Sequence, residues 1–412
     1  MRSRTVGSFA AYLSMVATCA VVAGLDSASA EPTGGSQSHR VGENRKLVVR
    51  GHGYGHGHGM SQYGAEGAAR KGKSYRQIVN FYYPGTSWAK LKGRIRVLIT
   101  ADTTSEVVVS PTAGLTVRDR ANGTLYRLPR RGGIDRWRLS PRRGSTVIEQ
   151  LTGGQWRRYD PRGPSDGALD GLDGMGEFLA EGPLTLWLPN GSTKRYRGSL
   201  RAATPTRGAG SFDTVNALSM DDYLQGVVPY EMPASWHTEA VKSQAIAART
   251  YATWSRDQNR SRHYQICDTT SCQVYGGVNG EDSRSNAAVV ATTRQILTFN
   301  GQAAFTQFSS SSGGWTAKGS VPYLGARKDP YDGWSGNPMH SWTTTISAGG
   351  AERKYPRLGT LRGIRVVDRT GDGAWGGRVN RLVLDGSRGD IAMSGDSFRW
   401  AFGLRSNWFT IG

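Results

Sequence analysis

Asp-Tyr-Leu-Gln-Gly-Val-Val-Pro-Tyr-Glu-Met-Pro occupies residues 222–233, and Glu-Ala-Val-Lys-Ser-Gln-Ala-Ile-Ala-Ala-Arg-Thr-Tyr-Ala follows at residues 239–252. The first run predicts a helix over residues 220–230. In the second run apolar residues recur at spacings of three and four, which predicts a helix from about residue 236 to 257. A third, short helix is predicted over residues 287–293. These helices form the centre of the predicted fold, and much of the remaining sequence reads as β-structure.

Glu231 stands at the end of the first predicted helix, two residues before Pro233, which cannot continue a regular helix. A carboxylate at a helix C-terminus faces the negative end of the helix dipole, and the apolar neighbours Val227, Val228 and Met232 withdraw it from water. Both effects favour the protonated carboxyl group, which a general acid needs near neutral pH. The alternative is an ordinary solvated glutamate at a helix end.

A glycine-rich run, Gly-His-Gly-Tyr-Gly-His-Gly-His-Gly-Met-Ser-Gln-Tyr-Gly-Ala, occupies residues 51–65 after a predicted strand over residues 46–50. Its histidines, His52, His56 and His58, lie two or four residues apart, so an extended backbone places them on one face. A metal site is one interpretation of that spacing. A backbone that lets a bound ligand approach closely is the other. Ser74 and Gln77 predict a capping box at the start of the next helix.

Residues 102–205 are predicted to be rich in β-structure. Asn122-Gly123 and Asn190-Gly191 each separate two strand-like runs, which is a strong hairpin signal. The Gly-, Asp- and Pro-rich residues 157–173 predict a loop inside this region. Clear strands outside it are predicted over residues 95–99 and 379–384.

The first thirty residues have the features of a cleaved export signal. Arg2 and Arg4 precede an apolar run over residues 9–25, and Ala28-Ser29-Ala30 follows. A membrane anchor is the alternative, although the apolar run is short and interrupted. The polar residues 31–45 predict a disordered linker. We therefore expect a secreted or cell-wall protein that meets the membrane only during export.

The chain has 412 residues and a formal net charge of +20, which attracts polyanions. For an exported protein, anionic wall polymers are better candidate partners than nucleic acid. A generally basic surface without a specific partner is the alternative. Cys267 and Cys272 remain after removal of the signal segment, and outside the cytoplasm such a close pair usually forms a disulfide.

These motifs resemble the stage II sporulation protein D and amidase enhancer family over residues 46–100 and 210–412. The resemblance implies that Glu231 is the catalytic acid of a peptidoglycan lytic transglycosylase and that Arg249 lies near the active site. A third motif, Gln-Phe-Ser-Ser-Ser-Ser-Gly-Gly-Trp-Thr at residues 307–316, has a serine, Ser309, where the family often has a histidine. A Ser/Gly linker is the alternative for that motif. The residues to which the resemblance gives a substrate-binding role are His56, Met60, Gln62, Tyr63, Tyr275, Ser310, Ser312, Gly313 and Gly314.

A lytic transglycosylase works with one carboxyl group and leaves a 1,6-anhydro-muramic acid end, whereas an ordinary glycosidase needs two carboxylates beside the bond. The predicted helices leave no convincing second carboxylate near Glu231, since Glu239 lies two turns away. No metal or cofactor is expected. The implied partners are peptidoglycan glycan strands, with or without stem peptides, and anionic wall polymers. A non-catalytic partner of a wall amidase and a wall-binding module are the alternative functions.

Some relatives hold a zinc ion with two cysteines and two histidines. This chain keeps His263 but has Ser271 where a second histidine is expected, so we favour the disulfide Cys267–Cys272 over a metal.

The predicted fold class is α+β, with a helical catalytic core packed on extensive antiparallel β-structure. The family usually carries the glycine-rich motif after the catalytic region, whereas here it comes first. We interpret this order as a circular permutation, which predicts that residues near 46 and 412 are neighbours. The predicted segments are a signal peptide (1–30), a linker (31–45), the permuted part of the catalytic domain (46–101), a β-rich insertion of possible wall-binding function (102–205) and the main catalytic domain (206–412).

Overall fold

The computed structural model describes residues 37–142, 145–163, 171–206 and 209–412. The predicted signal peptide lies outside these residues. The predicted α+β class is confirmed, since eight α-helices and several antiparallel sheets are found in the described ranges. None of these helices combines the length and the apolar character that crossing a bilayer requires.

The helices lie mostly in three regions of the chain. In chain order they are α1 (Gln62–Arg70), α2 (Tyr75–Tyr82), α3 (Met220–Gln225), α4 (Val228–Glu231), α5 (Thr238–Gln258), α6 (Ser283–Ala291), α7 (Ala348–Lys354) and α8 (Gly395–Phe402), with short 3₁₀ turns at Gly277–Gly280, Pro356–Leu358 and Ala374–Gly376.

The strands run through the whole described chain. They are β1 (Gln37–Arg40), β2 (Lys46–His52), β3 (Met60–Ser61), β4 (Ser87–Lys90), β5 (Arg94–Leu98), β6 (Val107–Val109), β7 (Thr116–Asp119), β8 (Leu125–Arg127), β9 (Ile134–Arg142), β10 (Ser145–Thr152), β11 (Gln155–Arg158), β12 (Gly176–Leu179), β13 (Leu184–Trp187), β14 (Thr193–Tyr196), β15 (Ser199–Ala203), β16 (Asp213–Ser219), β17 (Ile266–Cys267), β18 (Gln295–Phe299), β19 (Gln302–Ala303), β20 (Phe308–Ser309), β21 (Trp315–Thr316), β22 (Arg327–Lys328), β23 (Ser341–Ser347), β24 (Leu361–Arg369), β25 (Val379–Gly386), β26 (Ile391–Ser394) and β27 (Phe409–Ile411).

The largest sheet joins the helical core to the predicted insertion. Its strand order is β17-β5-β16-β15-β12-β7-β8, so it begins beside the helices and ends in the hairpin at Asn122-Gly123. A second sheet, β11-β10-β9-β6-β13-β14, lies wholly within residues 102–205. Inward residues of both sheets, such as Val117 and Trp137, share one hydrophobic cluster with α5. The insertion is therefore continuous with the helical core.

The two predicted hairpins and the predicted capping box are confirmed. Strands β7 and β8 pair across Asn122-Gly123, and β13 pairs with β14 across Asn190-Gly191. The Ser74 side chain accepts from the Gln77 backbone, and the Gln77 side chain accepts from the Ser74 backbone. The first two residues of the predicted loop at 157–173 belong to β11, and its residues 164–170 lie outside the described ranges.

A second hydrophobic cluster unites the two ends of the described chain. It contains Leu47 and Val49 of β2 together with residues of β23, β24, β25, α8 and β27. Strand β2 lies between β23 and β27, and the Gly412 backbone N–H donates to the Val48 carbonyl at 2.9 Å. The prediction that residues near 46 and 412 are neighbours is confirmed.

Three local predictions are wrong. Within the predicted disordered linker, Gln37–Arg40 forms an edge strand, because β24 offers a full antiparallel partner. The helix predicted over 220–230 is broken into α3 and α4, because Pro229 lacks an amide proton and its ring would collide with the Gln225 carbonyl. The third helix begins at Ser283, where the Asp282 side chain caps it by accepting from the Arg284 N–H.

A substitution at Gly51 would test the packing of the second hydrophobic cluster. A Cβ atom there would lie 2.1 Å from Cζ2 of Trp342, a buried residue of β23 that pairs with Gly51. We expect Gly51→Ala to lower the free energy of unfolding by about 1–3 kcal/mol, as measured by urea denaturation. Gly325→Ala, where no atom lies within 4 Å of the added carbon, is the matched control. Equal effects in the two variants would contradict the packing described here.

Candidate functional site

Glu231 opens onto a cavity of about 290 Å³. It is the last residue of the four-residue helix α4, and its Oε1 accepts a hydrogen bond from the Val274 N–H at 3.2 Å. Among the described residues that line this cavity, Glu231 carries the only carboxyl group. The other lining residues are His56, Tyr251, Thr270, Ser271, Cys272, Val274, Gln307 and Phe308.

Burial raises the pKa of Glu231 to about 7, although the hydrogen bond from Val274 acts in the opposite direction. The direction agrees with the environment predicted from the sequence, but the main cause is burial. Helix α4 has a single turn, so its dipole is small. At neutral pH the Glu231 carboxyl group is therefore divided between its protonated and ionised forms.

His56 also lines the cavity and stays neutral. Burial lowers its pKa to about 3, and the positive groups of His58, Arg378 and Arg399 act in the same direction. Its Nδ1 accepts a hydrogen bond from the His58 N–H at 2.9 Å, which leaves the proton on Nε2. His56 is thus a hydrogen-bond donor and not an acid near neutral pH.

Gln62 holds the backbone of the glutamate in place. Its Nε2 donates to the Glu231 carbonyl oxygen at 2.7 Å and lies 3.4 Å from Oε1 of Gln244 on α5. The next residue, Tyr63, is partly buried against Trp236, with ring centroids 4.8 Å apart. These contacts fix the start of α1 against α4, although Gln62 and Glu231 are 169 residues apart in the chain.

The glycine-rich run is needed for contact between protein segments. Gly59 has a φ of 68°, and a Cβ atom there would lie 2.0 Å from the Gln307 carbonyl oxygen. Strand β3 pairs in parallel with β20, with Met60 opposite Phe308. The close approach predicted for a ligand is therefore made by residues 307–309 themselves.

Cys267 and Cys272 form a disulfide whose loop supplies one wall of the cavity through Thr270, Ser271 and Cys272. His263, the remaining histidine of the zinc alternative, instead places Nε2 2.7 Å from Oδ2 of Asp213.

Asp332 is a buried carboxylate that joins the glycine-rich run to the third motif. It accepts hydrogen bonds from the Ser61 hydroxyl at 2.6 Å and from the Ser311 hydroxyl at 2.8 Å. The backbone N–H groups of Ser312 and Gly313 donate to it at 2.9 and 3.0 Å. Since Ser61 also caps α1, this carboxylate fixes the helix that carries Gln62.

Hydrogen-bond donors keep the Asp332 carboxyl group ionised. Burial alone would raise its pKa, yet hydrogen bonds from His340, Ser61 and Ser311 hold that pKa below the ordinary value. Burial and the nearby Asp332 charge raise the pKa of Asp329 to about 6. Asp332 therefore carries the negative charge of this pair, and Asp329 has the more readily protonated carboxyl group.

Several residues predicted to bind substrate lie elsewhere. Met60 and Tyr275 are buried in the core, and the Tyr275 hydroxyl donates to Asn216. The third motif is not a linker, since Ser312 is buried and donates to Asp329. Of the residues predicted to bind substrate, His56 lines the Glu231 cavity, and the others do not. The substrate-binding role stays a prediction for Met60, Gln62, Tyr63, Tyr275, Ser310, Ser312, Gly313 and Gly314.

Arg249 is also absent from the cavity. It lies two residues before Tyr251 on α5, which turns its side chain about 200° away from the cavity. The buried guanidinium donates to Asp221 at 2.9 Å and to the Val289 carbonyl at 3.1 Å, so it ties α5 to α3 and α6. Arg249 thus lies near the cavity without lining it, and its catalytic role stays a prediction.

Sequence reasoning missed Tyr251, Gln307, Phe308, Val274 and the 270–272 loop. Tyr251 belongs to the same helical motif as Arg249, and Gln307 begins the third motif. The helical period alone could have separated Tyr251 from Arg249, since the two point to different faces. Contacts of the disulfide loop depend on the tertiary fold.

Residues 208–299 match the model of the stage II sporulation protein family. The chain is also similar to curated proteins named amidase enhancer and stage II sporulation protein D. It is 42% identical over 130 residues to the amidase enhancer of Bacillus subtilis (strain 168), which covers 30% of this chain and 17% of that protein. It is 30% identical over 215 residues to stage II sporulation protein D of the same organism, which covers 47% of this chain and 60% of that protein.

A third relative is an uncharacterized protein of Brachyspira hyodysenteriae, 38% identical over 118 residues, or 27% of this chain and 32% of that protein. The match to each of these relatives spans less than two thirds of that relative's length. Glu231, Arg249 and the disulfide of this chain all lie within residues 208–299, whereas the glycine-rich run lies outside that range.

The raised pKa of Glu231 predicts a pH-dependent cost in stability. An unfolded glutamate ionises near pH 4.5, whereas folded Glu231 keeps its proton up to about pH 7. Stability is therefore lost as the pH rises through this window. Relative to the wild type, Glu231→Gln should gain about 3 kcal/mol in free energy of unfolding between pH 4 and pH 8, as measured by urea denaturation. A pH-independent difference would show that Glu231 is solvated.

Arg249 is expected to act on stability. Arg249→Met removes the buried guanidinium that donates to Asp221 and to the carbonyls of Val289 and Gln295, so the free energy of unfolding should fall by about 3 kcal/mol. Arg284→Met, which removes an exposed arginine paired with Asp282, should leave it nearly unchanged. A loss of catalysis in Arg249→Met without any loss of stability would contradict this assignment.

Proposed function

We propose that this protein is an exported lytic transglycosylase that cleaves the glycan strands of peptidoglycan, with Glu231 as its single acid and base. The observation that carries the proposal is the buried carboxyl group with a pKa of about 7, alone among the described residues that line its cavity. The relatives named for sporulation and for amidase enhancement support a role at the cell wall.

One carboxyl group is sufficient for this reaction. Protonated Glu231 gives its proton to the glycosidic oxygen as the bond from that oxygen to C1 of the muramic acid breaks. The carboxylate then takes the proton of the O6 hydroxyl as O6 bonds to C1. The product is a 1,6-anhydro sugar, Glu231 recovers its proton and no water is consumed. A hydrolase would need a second carboxylate to activate water.

The other residues of the cavity have supporting roles in this proposal. His56 is neutral, and its hydrogen bonds to the backbone of His58 and of Phe308 fix its ring in the cavity wall. Gln62 is a positioning residue, since it holds the Glu231 backbone and not its carboxyl group. Tyr251 and Phe308 provide ring surfaces that can lie against sugar rings.

The order of the segments is part of the proposal. Residues 46–101 and 206–412 would form one catalytic unit of permuted order, and residues 102–205 would be an insertion. The contact between Gly412 and Val48 supports a permutation, because joining the two ends would require little movement of the chain. The order of strands in the seven-stranded sheet supports an insertion between β5 and β16, which are neighbours in that sheet.

A non-catalytic role beside a cell-wall amidase is the second candidate. The 42% identity to the amidase enhancer favours it, although that identity covers 17% of the relative. A buried glutamate with a raised pKa is an unfavourable feature that a purely binding protein has no need to retain.

The test is a digest of intact and of peptide-stripped peptidoglycan by residues 31–412, with the products identified by mass spectrometry. We expect anhydro-muramic acid ends with the wild type and a loss of at least about a hundredfold with Glu231→Gln. Glu43→Gln, which changes an exposed glutamate, is the matched control and should retain activity.

Hydrated muramic acid ends would identify a hydrolase and contradict the proposed chemistry. If neither substrate is cleaved, the protein should be added to a wall amidase, and stimulation that survives Glu231→Gln would establish the second candidate.

The rate of the proposed reaction should fall as the pH rises through about 7, because the acid form of Glu231 is lost there. A rate that is constant between pH 5 and pH 9 would exclude Glu231 as the acid.

A further inference from the structure

The insertion contains a cavity of about 670 Å³, larger than the 290 Å³ cavity at Glu231. It lies where the two sheets of residues 102–205 meet. Its lining comes from the turn before β7, the segment after β8, strand β10 and the turn between β12 and β13. Mouths between β-sheets are common positions for ligand sites, and this volume falls in the usual range for them.

Three arginines converge on this cavity. Arg127, Arg130 and Arg131 all line it and are exposed. In the part of the chain that the structure describes, none of their guanidinium groups has a hydrogen-bond or ion-pair partner. This contrasts with Arg118, Arg120 and Arg201 of the neighbouring sheet, which share the buried carboxylate of Glu177. Unpaired guanidinium groups match the geometry of carboxylate and phosphate groups.

The remaining lining is polar and suits a ligand with many hydroxyl groups. Glu181 offers one exposed carboxylate, and Gln150 offers an amide. The Thr152 hydroxyl is shielded from water and, among the described residues, has no hydrogen-bond partner. Buried polar groups are normally paired, so this hydroxyl is a further feature that a ligand could satisfy.

The cavity is far from the Glu231 site. Strands β17 and β8 form opposite edges of the seven-stranded sheet. Strand β17 contains Cys267 of the disulfide, and β8 contains Arg127. Six strand spacings separate them, which is roughly 29 Å. The two sites therefore have separate ligands or bind separate parts of one long polymer.

We propose that this arginine cavity binds an anionic, hydroxyl-rich polymer, that is, a glycan or polyol chain with carboxylate or phosphodiester groups. Nucleic acid fits less well. Single strands are bound through aromatic side chains that present their faces to the bases. The aromatic residue of the described lining is Tyr159, which is partly buried against Trp137, with ring centroids 5.0 Å apart. The inference does not depend on catalysis by Glu231.

The test measures binding of residues 31–412 to four polymers of similar length by isothermal titration calorimetry at about 0.15 M salt. Poly(glycerol phosphate) and polygalacturonate represent the two anionic sources, dextran is neutral and single-stranded DNA is the unrelated polyanion. We expect binding to at least one of the first two and at least roughly tenfold weaker binding to dextran and DNA. The preferred anionic polymer then identifies phosphodiester or carboxylate as the ligand group.

The variants separate a specific site from general charge. Changing Arg127, Arg130 and Arg131 together to Gln should raise the Kd at least roughly tenfold, and changing them to Lys should raise it several-fold, since Lys lacks the paired donors. The matched control changes the exposed Arg353, Arg357 and Arg388 to Gln, which removes the same charge from a surface outside residues 102–205. It should change the Kd less than twofold.

Three results would overturn the proposal in favour of non-specific attraction. The two Gln triples could lose equal affinity for the anionic polymer, the Lys triple could bind it as tightly as the wild type, or DNA could bind as tightly as the anionic polymer. No binding to either anionic polymer would also overturn it. Glu231→Gln should bind the anionic polymer like the wild type. The variant with Arg127, Arg130 and Arg131 changed to Gln should cleave short soluble glycan fragments at the wild-type rate. Failure of this proposal is thus distinguishable from failure of the proposed catalytic function.

Discussion

A single buried carboxylate, Asp332, holds together segments that the sequence keeps 271 residues apart. Its oxygens accept from Ser61 at the start of α1 and from Ser311, Ser312 and Gly313 in the third motif. Because a buried charge is tolerated only when its lone pairs are satisfied, these donors cannot be removed without a large cost. The need to satisfy the Asp332 carboxylate therefore fixes the position of α1. It thereby also fixes the contact of Gln62 with the Glu231 carbonyl.

The second organising feature is the pairing of the chain's ends in one sheet. Strand β2 lies between β23 and β27, so the glycine-rich run leaves this sheet in a fixed direction towards the Glu231 cavity. His56 can then reach the cavity without belonging to a helix or a strand. The position of the glycine-rich run in space thus depends on its sheet partners and not on its place in the chain.

The electrostatic character of the two cavities differs for a physical reason. Glu231 and His56 are buried, and burial disfavours the charged form of each, so the glutamate gains protons and the histidine loses them. The arginines of the insertion are exposed to water and remain charged. One site is thus suited to proton transfer, and the other to long-range attraction of anions. The seven-stranded sheet joins the two cavities across the molecule.

The sequence by itself determined the α+β class, the two Asn-Gly hairpins, the Ser74 capping box and the apolar surroundings of Glu231, because each depends on neighbours close in the chain. It also led to the pairing of residues near 46 and 412, through the order of the motifs. Only the tertiary structure decided which motif residues meet. Met60 and Tyr275 are buried, Arg249 turns towards Asp221, and Gly59 makes room for the Gln307 carbonyl. The reason is that side-chain contacts are fixed by long-range packing, which local periodicity does not encode.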